Sequence, residues 1–331
     1  MPRLNPQKNI FLLRNRFLKD IRFFFEQHEF LETQTPSLVE NPGLEPNLKY
    51  FHTTVKKNEL GPSSKTELYY LRTSPEYHLK KLLSLNIEKL FEISNSFRNA
   101  EISSEHYPEF LLLEWYQCPG SYLDIIQDVK NLFLYFSTKH YSLNQNYHLN
   151  KVDVIDFCDL FKNHINFDLD TCLKNKNYES LLEKIPEKIN CKCPQEAIDY
   201  LFVDQIQKKL GKNNPVIINH YPYFKGGLAK TLTSTPWLSK RFEVYIKGHE
   251  LANAFDEVID SSKQRELCLE DINQRKNLYP QAPCPTIDDD FLIALEKIKN
   301  PAGGIALGLD RLLMLLDEKN SLNDISLFHW D

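Results

Sequence analysis

Apolar positions in this chain change period several times. Residues 8–28 (KNIFLLRNRFLKDIRFFFEQH) set Leu13, Phe17, Ile21 and Phe24 at helical spacing with Lys and Arg between them, which predicts an amphipathic helix. FLETQTPSL (30–38) alternates instead and ends in Thr-Pro, as a strand end or sheet edge does. Residues 39–65, rich in Asn, Pro, Gly, Ser and Lys, predict loops with one short β segment at YFHTTV. LYYLR then predicts a strand, Ser74-Pro75 a turn, and a helix beginning about Glu76, where proline followed by an acid favours a start. KLFEISNSFR (89–98) reads as another strand, returning through EFLLLEWY as an antiparallel hairpin around a loop.

From Tyr122 to about Gly211 the pattern is helical, with turns near 141–150 and 185–195. No catalytic pattern stands out there. The last third returns to strands at NPVIINHYP, RFEVYIKG and HELANAFDEVID, then a helix from about Ser262 and the loop YPQAPCPTIDDD. GGIALGLDRLLMLL closes the chain as a glycine-bearing strand entering a helix. The whole predicts an α+β domain over 1–331, an antiparallel β-sheet flanked by helices, with a mainly helical insertion at about 120–211.

The return strand of the hairpin raises a question of chemistry. Phe110, Leu112, Glu114 and Tyr116 share one parity, while Leu111, Leu113 and Trp115 share the other. Glu114 therefore points from a mostly apolar face, where a carboxylate costs several kcal/mol unless it meets a cation or donors. That face is expected to look into a pocket. Downstream, Glu250 differs in parity from Asn253, Phe255 and Glu257. A bulge or kink between 250 and 253 is needed if all four are to face one way.

Composition narrows the class without choosing a function. With 331 residues, 42% of them hydrophobic and 12% aromatic, the chain has enough apolar surface for a substantial core. A net charge of −5 gives no global sign of a nucleic-acid surface. The seven cysteines are scattered, and Cys191 and Cys193 lack a second pair at zinc spacing. No leader-like segment or membrane-length apolar run is found, so a reduced, cytoplasmic protein is the expectation.

The motifs F-R-N-x…H-x-P-E-F…E-x-Y resemble motif 2 of class II aminoacyl-tRNA synthetases. GIALGLDR resembles their motif 3, and FLETQTP their motif 1, whose proline sits at the dimer interface, so a homodimer is implied. R-F-E-V-Y-I-K-G-H-E-L-A-N-A-F-D-E resembles the lysyl branch. The chain starts almost at the catalytic domain, with no anticodon-binding domain expected. In this it resembles the elongation factor P–(R)-β-lysine ligases, which load a lysine of a translation factor instead of tRNA. S-P-E-Y-H-L-K, L-E-W-Y and E-L-A-N match that group, as does Ala306, where lysyl-tRNA synthetases usually carry glycine.

The resemblance implies ATP and Mg²⁺ as cofactors and assigns roles by position. Arg98 bridges the amino-acid carboxylate and the α-phosphate, and Arg311 meets the γ-phosphate and the adenine face. Phe110 stacks on adenine, His106 contacts terminal phosphates, and Asn99, Glu101 and Gly308 complete the nucleotide set. Glu243 and Glu250, flanking Gly248, face one Mg²⁺. Glu76, Glu114, Tyr116, Glu250, Asn253, Phe255, Glu257 and Ala306 line the amino-acid pocket, with Glu257 and Tyr116 on the side-chain ammonium and Glu76 on the other amine. For each residue taken alone, a solvated surface charge or an ordinary core aromatic is the bland alternative; the set together is what points to a site.

One departure matters. Where the family writes F-R-N-E, this chain has Ala100, with Glu101 one place later. Between Arg98 and the return strand the loop carries Glu101 and Glu105 and no lysine or arginine. Those acids would repel a phosphate backbone, which argues against tRNA as the acceptor and favours a basic protein target. Two other readings stay open: a trimmed lysyl-tRNA synthetase, and a non-catalytic paralogue acting as a regulatory subunit, for which Ala100 is the support.

Overall fold

A computed structural model describes residues 3–5, 7–56, 66–191, 193–225 and 229–330. The loop expected over 39–65 therefore lies outside the described residues from position 57 on. Contacts divide the chain into two compact units, one of Met1–Pro119, Val258–Pro301 and Ala306–Asp331, the other of Gly120–Glu257 and Ala302–Ile305.

The first unit begins with β1 (Arg3–Leu4), α1 (Lys8–Gln27), β2 (Leu31–Glu32), β3 (Leu38–Val39), β4 (His52–Lys56) and β5 (Thr66–Leu71). It continues with α2 (Glu76–Leu83), β6 (Lys89–Phe97) and β7 (Glu109–Gln117). β6 and β7 form the expected antiparallel hairpin, pairing Leu90 with Tyr116, Glu92 with Glu114, Ser94 with Leu112 and Ser96 with Phe110 on one face. The opposite face carries Phe91 and Trp115, and α1 seals it. Phe25 stacks on Phe91 at 4.7 Å and meets Trp115 edge-on at 5.2 Å. Burying a side chain of this size stabilises by roughly 1.5–3 kcal/mol, and Phe25→Ala would cost about 3–5. With one face filled by α1, the polar residues of the hairpin are left on the other.

The alternating stretch 30–38 is not one strand. Leu31–Glu32 pairs parallel to β6 and Leu38–Val39 antiparallel to β5, with a gap between. Pro36 has no N–H to give a ladder, and the Thr35 and Pro36 carbonyls accept from Arg72 at 3.0 and 3.3 Å instead.

The second unit holds α3 (Tyr122–Ser137), β8 (Asp153–Asp156), α4 (Phe157–Ile165), α5 (Leu169–Asn175), α6 (Glu179–Leu182) and α7 (Pro194–Leu201). β9 (Val216–Asn219), β10 (Arg241–Ile246) and β11 (His249–Asp256) follow. The stretch 120–211 holds α3 to α7 together with β8, which runs parallel to β9. Phe157 joins Phe202 at 5.2 Å and Tyr221 at 4.5 Å in the core under these helices. β10 and β11 turn over through Lys247 (φ 50°) and Gly248 (φ 84°), both left-handed, the geometry a two-residue hairpin prefers.

The remaining elements are α8 (Ser261–Leu278), α9 (Asp289–Lys297), β12 (Gly303–Gly308), α10 (Leu309–Leu316) and β13 (Phe328–His329). The class is α+β. Pairing is antiparallel for β6–β7, β9–β10 and β10–β11, while β2 on β6 and β8 on β9 are parallel. The antiparallel pairing expected from the sequence is found, and the short strands β2 and β8 add two parallel pairings to it.

Candidate active site

In the first unit, β6 delivers Arg98 at its end, and the Arg98 N–H donates to Pro108 O at 3.0 Å, closing the hairpin loop. Its guanidinium lies over the Phe110 ring at 5.2 Å, and its buried Nε has no hydrogen-bond partner. Asn99 is exposed, and its N–H donates to Lys49 O at 2.9 Å. Ala100 takes φ 63°, a left-handed conformation uncommon for a residue with a Cβ. The turn leads to half-buried Glu101.

The loop is fastened at its far side as well. Ser104 O accepts the Leu322 N–H at 2.8 Å, and the Tyr107 hydroxyl donates to Asn323 Oδ1. His106 shares Nδ1 with the Ser103 hydroxyl at 3.1 Å and Nε2 with Arg311 Nη2 at 2.7 Å. Atoms packed around the ring and the Arg311 guanidinium lower its pKa, against an opposing pull from Glu101 and Glu105. A neutral imidazole can accept from Arg311. Asp310 sets Arg311 in place: its carboxylate accepts the Leu111 N–H at 2.7 Å and pairs with Arg14 at 2.8 Å. On β12, Ala306 and Gly308 are half-buried beside buried Ile305 and Leu307, so they share the more open face.

The amine-side residues of this unit sit on α2 and β7. Glu114 is 1% exposed and Tyr116 3%, and the Tyr116 hydroxyl donates to Glu114 Oε2 at 3.2 Å. Glu114 Oε1 has no hydrogen-bond partner. Burial pushes the Glu114 carboxyl well up, Glu76 adds to the shift, and Ser74, Tyr116 and Lys80 oppose it. Glu76 opens α2, its N–H held by the Ser74 hydroxyl at 3.2 Å, and Oε1 takes Lys80 Nζ at 2.5 Å. Glu109, on the opposite parity, is exposed and accepts from Asn95 at 2.9 Å, outside this cluster.

In the second unit, β10 presents Arg241, Glu243 and Tyr245 on one face. Their partners on β11 are Phe255, Asn253 and Glu250, and the register shifts between Val244 and Tyr245. Leu251 is the extra residue, so the bulge demanded by parity is present. It brings half-buried Glu250, Asn253 and Phe255 to the same face, and Glu257 follows two residues later at the same parity, 2% exposed. Glu243 accepts the Tyr221 and Tyr245 hydroxyls at 2.5 Å each and pairs with Arg241. Arg241 also donates Nε–H to Asn253 Oδ1 at 2.8 Å. Burial alone would lower the Arg241 pKa; Glu243, Tyr221 and Glu250 outweigh it and raise it. Tyr221 and Tyr245 are pushed well up, by burial first and by Glu243 next.

A family model described as tRNA synthetases class II (D, K and N) matches residues 2–330. The chain belongs to the class II tRNA synthetases. Curated relatives include proteins named Elongation factor P--(R)-beta-lysine ligase. The one from Buchnera aphidicola (subsp. Acyrthosiphon pisum, strain APS) is 34% identical over 96% of this chain and 94% of its own length. That from Haemophilus influenzae (strain PittGG) is 32% identical over 98% and 95%, and that from Baumannia cicadellinicola is 31% identical over 97% and 94%.

For a class II synthetase, membership implies use of ATP. The first unit fits an anionic nucleotide: Arg98 keeps a buried donor without a partner, and Arg311 is held by a neutral ring. The fit to Mg²⁺ is poorer. Glu243 and Glu250 share a face, but Glu243 already takes a guanidinium and two hydroxyls, and among the described residues no group of three His, Cys, Asp or Glu could hold a metal.

Several synthetase residues here escaped the sequence. Arg241 could have been found, because R-F-E-V-Y places 241, 243 and 245 on one face. Lys80 likewise stands one helical turn after Glu76. Asp310 and Tyr221 are paired over more than 20 residues and carry no local signal.

Proposed function

We propose that this chain is an ATP-dependent ligase that activates lysine or (R)-β-lysine as an aminoacyl-adenylate and transfers it to a lysine side chain of elongation factor P. The observation that carries the amine half is Glu114, a carboxylate buried to 1% with Oε1 unmatched, on the same hairpin that ends in Arg98. A buried unmatched carboxylate is unfavourable until an ammonium arrives.

In the first unit, Glu114 and Tyr116 hold an ammonium of the substrate, while Glu76, expected to take the second amine, is already paired with Lys80 at 2.5 Å. Arg98 draws the substrate carboxylate against the α-phosphate, and its fork neutralises charge that builds there as pyrophosphate leaves. Phe110 supplies the stacking surface for adenine, with Asn99, Glu101 and Gly308 along the nucleotide, while His106 and Arg311 meet the terminal phosphates. The second unit gathers Asn253, Phe255 and Glu257 on one face suited to an amino-acid ligand, with Glu243 already taken by Arg241 and two tyrosine hydroxyls. The acceptor amine then attacks the activated carbonyl and AMP departs.

The acidic loop, with Glu101 and Glu105, supports a basic protein acceptor over a phosphate backbone. Exposed Phe11, Leu12 and Phe23 on α1, each just over half accessible, support the homodimer implied by motif 1. Among the described residues no helix is long and apolar enough to cross a membrane, and we place the activity in the cytoplasm.

The test is ATP–pyrophosphate exchange with α-lysine and (R)-β-lysine in parallel, followed by transfer of label to elongation factor P or to tRNA. Exchange with label reaching the protein is the expected result. Label on tRNA would move the assignment to a trimmed synthetase, and no exchange with either amino acid would overturn it.

A further inference from the structure

The face shared by β6, β7 and α2 gathers three carboxylates and two cations, all buried except half-buried Glu76. Glu92 takes Arg72 at 2.9 Å and the Thr35 hydroxyl at 2.7 Å, and Glu76 takes Lys80 at 2.5 Å. Glu114, directly opposite Glu92, is held by hydroxyl groups, and its Oε1 has no partner. Glu92 and Glu76 each have a cation within hydrogen-bonding distance, whereas Glu114 is met by hydroxyl groups and keeps Oε1 unmatched.

Lys80 is the unexpected member of this group. Its side chain is 2% exposed, and an ammonium buried so deeply is costly unless it answers a carboxylate. Its helix neighbours Tyr77, Leu79 and Leu83 are buried among apolar groups, and Tyr77 stacks on Phe291 at 4.2 Å. The Lys80 stem is therefore confined, and its charge acts on Glu114 as well as on Glu76.

We propose that Lys80 is a built-in counter-ion that allots the pocket's carboxylates: it fixes Glu76 and leaves Glu114, with Tyr116, as the position open to the ligand's ammonium. This rests on the amino-acid-activating reading above and adds a positioning residue to it. Without Lys80, buried Glu114 and half-buried Glu76 would share a proton, as close carboxyl pairs do. The ligand's ammonium would divide between two positions, and its carboxylate would drift from the line of attack. Misplacement of about 1 Å costs on the order of 100-fold in rate.

The experiment is amino-acid-dependent pyrophosphate exchange by the full chain and its Lys80→Ala variant, with and without ethylammonium or 1-propanol. The alanine leaves room for a small guest; ethylammonium returns the charge, while 1-propanol returns only the volume. The expected result is a tenfold or greater loss of kcat/KM for the amino acid, recovered by ethylammonium and not by 1-propanol. Equal recovery by the alcohol, or activity within twofold of wild type, would overturn the proposal. Should Lys80→Ala fail to fold, Lys80→Met keeps the packing without the charge. The same loss at an unchanged melting temperature supports the proposal, and undiminished kcat/KM overturns it. Absence of exchange in the wild-type chain would instead fail the underlying reading and take this inference with it.

Discussion

Glu92 and Glu114 stand directly opposite each other on β6 and β7, each 1% exposed, yet Glu92 is met by the Arg72 guanidinium at 2.9 Å while Glu114 keeps an oxygen without a partner. Two acids in one environment thus have different tasks. Glu92 is fixed into the frame with Arg72, Thr35 and, through the Arg72 Nε–H, Asn95 O at 3.1 Å. Glu114 is kept for something not made by the chain itself.

Replacing Glu114 by glutamine keeps the shape and removes the charge. Losing one partner of a buried charged hydrogen bond costs 2–5 kcal/mol, so kcat/KM for the amino acid should fall roughly 30-fold or more. The melting temperature should hold or rise, because an amide is cheaper to bury than a carboxylate. Steady-state exchange kinetics alongside calorimetry check both halves.

Arg241→Lys removes a fork that joins Glu243 to Asn253 in the second unit. A lysine reaches one of them and not both. Stability should drop by about 1–3 kcal/mol as a buried acid or amide loses its donor, and KM should rise for ATP and for the amino acid together. Chemical denaturation and the two KM values measure this; an effect on ATP alone would remove Asn253 from the amino-acid face.

Asp271 on α8 gives a pH dependence. Burial first, and repulsion from Glu45 next, raise its carboxyl from 3.8 to about 7. The folded chain therefore binds this proton more tightly than the unfolded chain. The stabilising share is fully present below about pH 4 and is lost as pH rises through 7. Asp271→Asn should be neutral near pH 4 and stabilising at pH 8, on the order of 1–2 kcal/mol after solvent screening. Melting curves of both proteins across pH 4–8 decide it.

Ala100 holds φ 63° in the turn after Arg98. Glycine adopts that conformation without a Cβ penalty, so Ala100→Gly should stabilise by about 1 kcal/mol in spite of the greater freedom it gives the unfolded chain. A lowered denaturation midpoint would show that the loop pays no such strain.

Much of this was legible in the chain because it is local. Alternation separated Phe110, Leu112, Glu114 and Tyr116 from Leu111, Leu113 and Trp115, and the parity clash at Glu250 required the bulge found at Leu251. What was not legible depends on distance in sequence. The break at Thr35-Pro36 is stabilised by Arg72, 36 residues on, and Glu243 is capped by Tyr221, 22 residues back. The parallel strands β2 and β8 are two and four residues long, too short to announce their direction.

The extra residue at Leu251 also sets a rhythm that function itself reports. A pleated strand has a period of two, so one inserted residue delays everything after it by half a wavelength. In a saturation scan of positions 249–257, damage to activity should not alternate evenly. It should fall at 250, skip two positions, and then keep time at 253, 255 and 257. The missed beat would mark the bulge from growth counts alone.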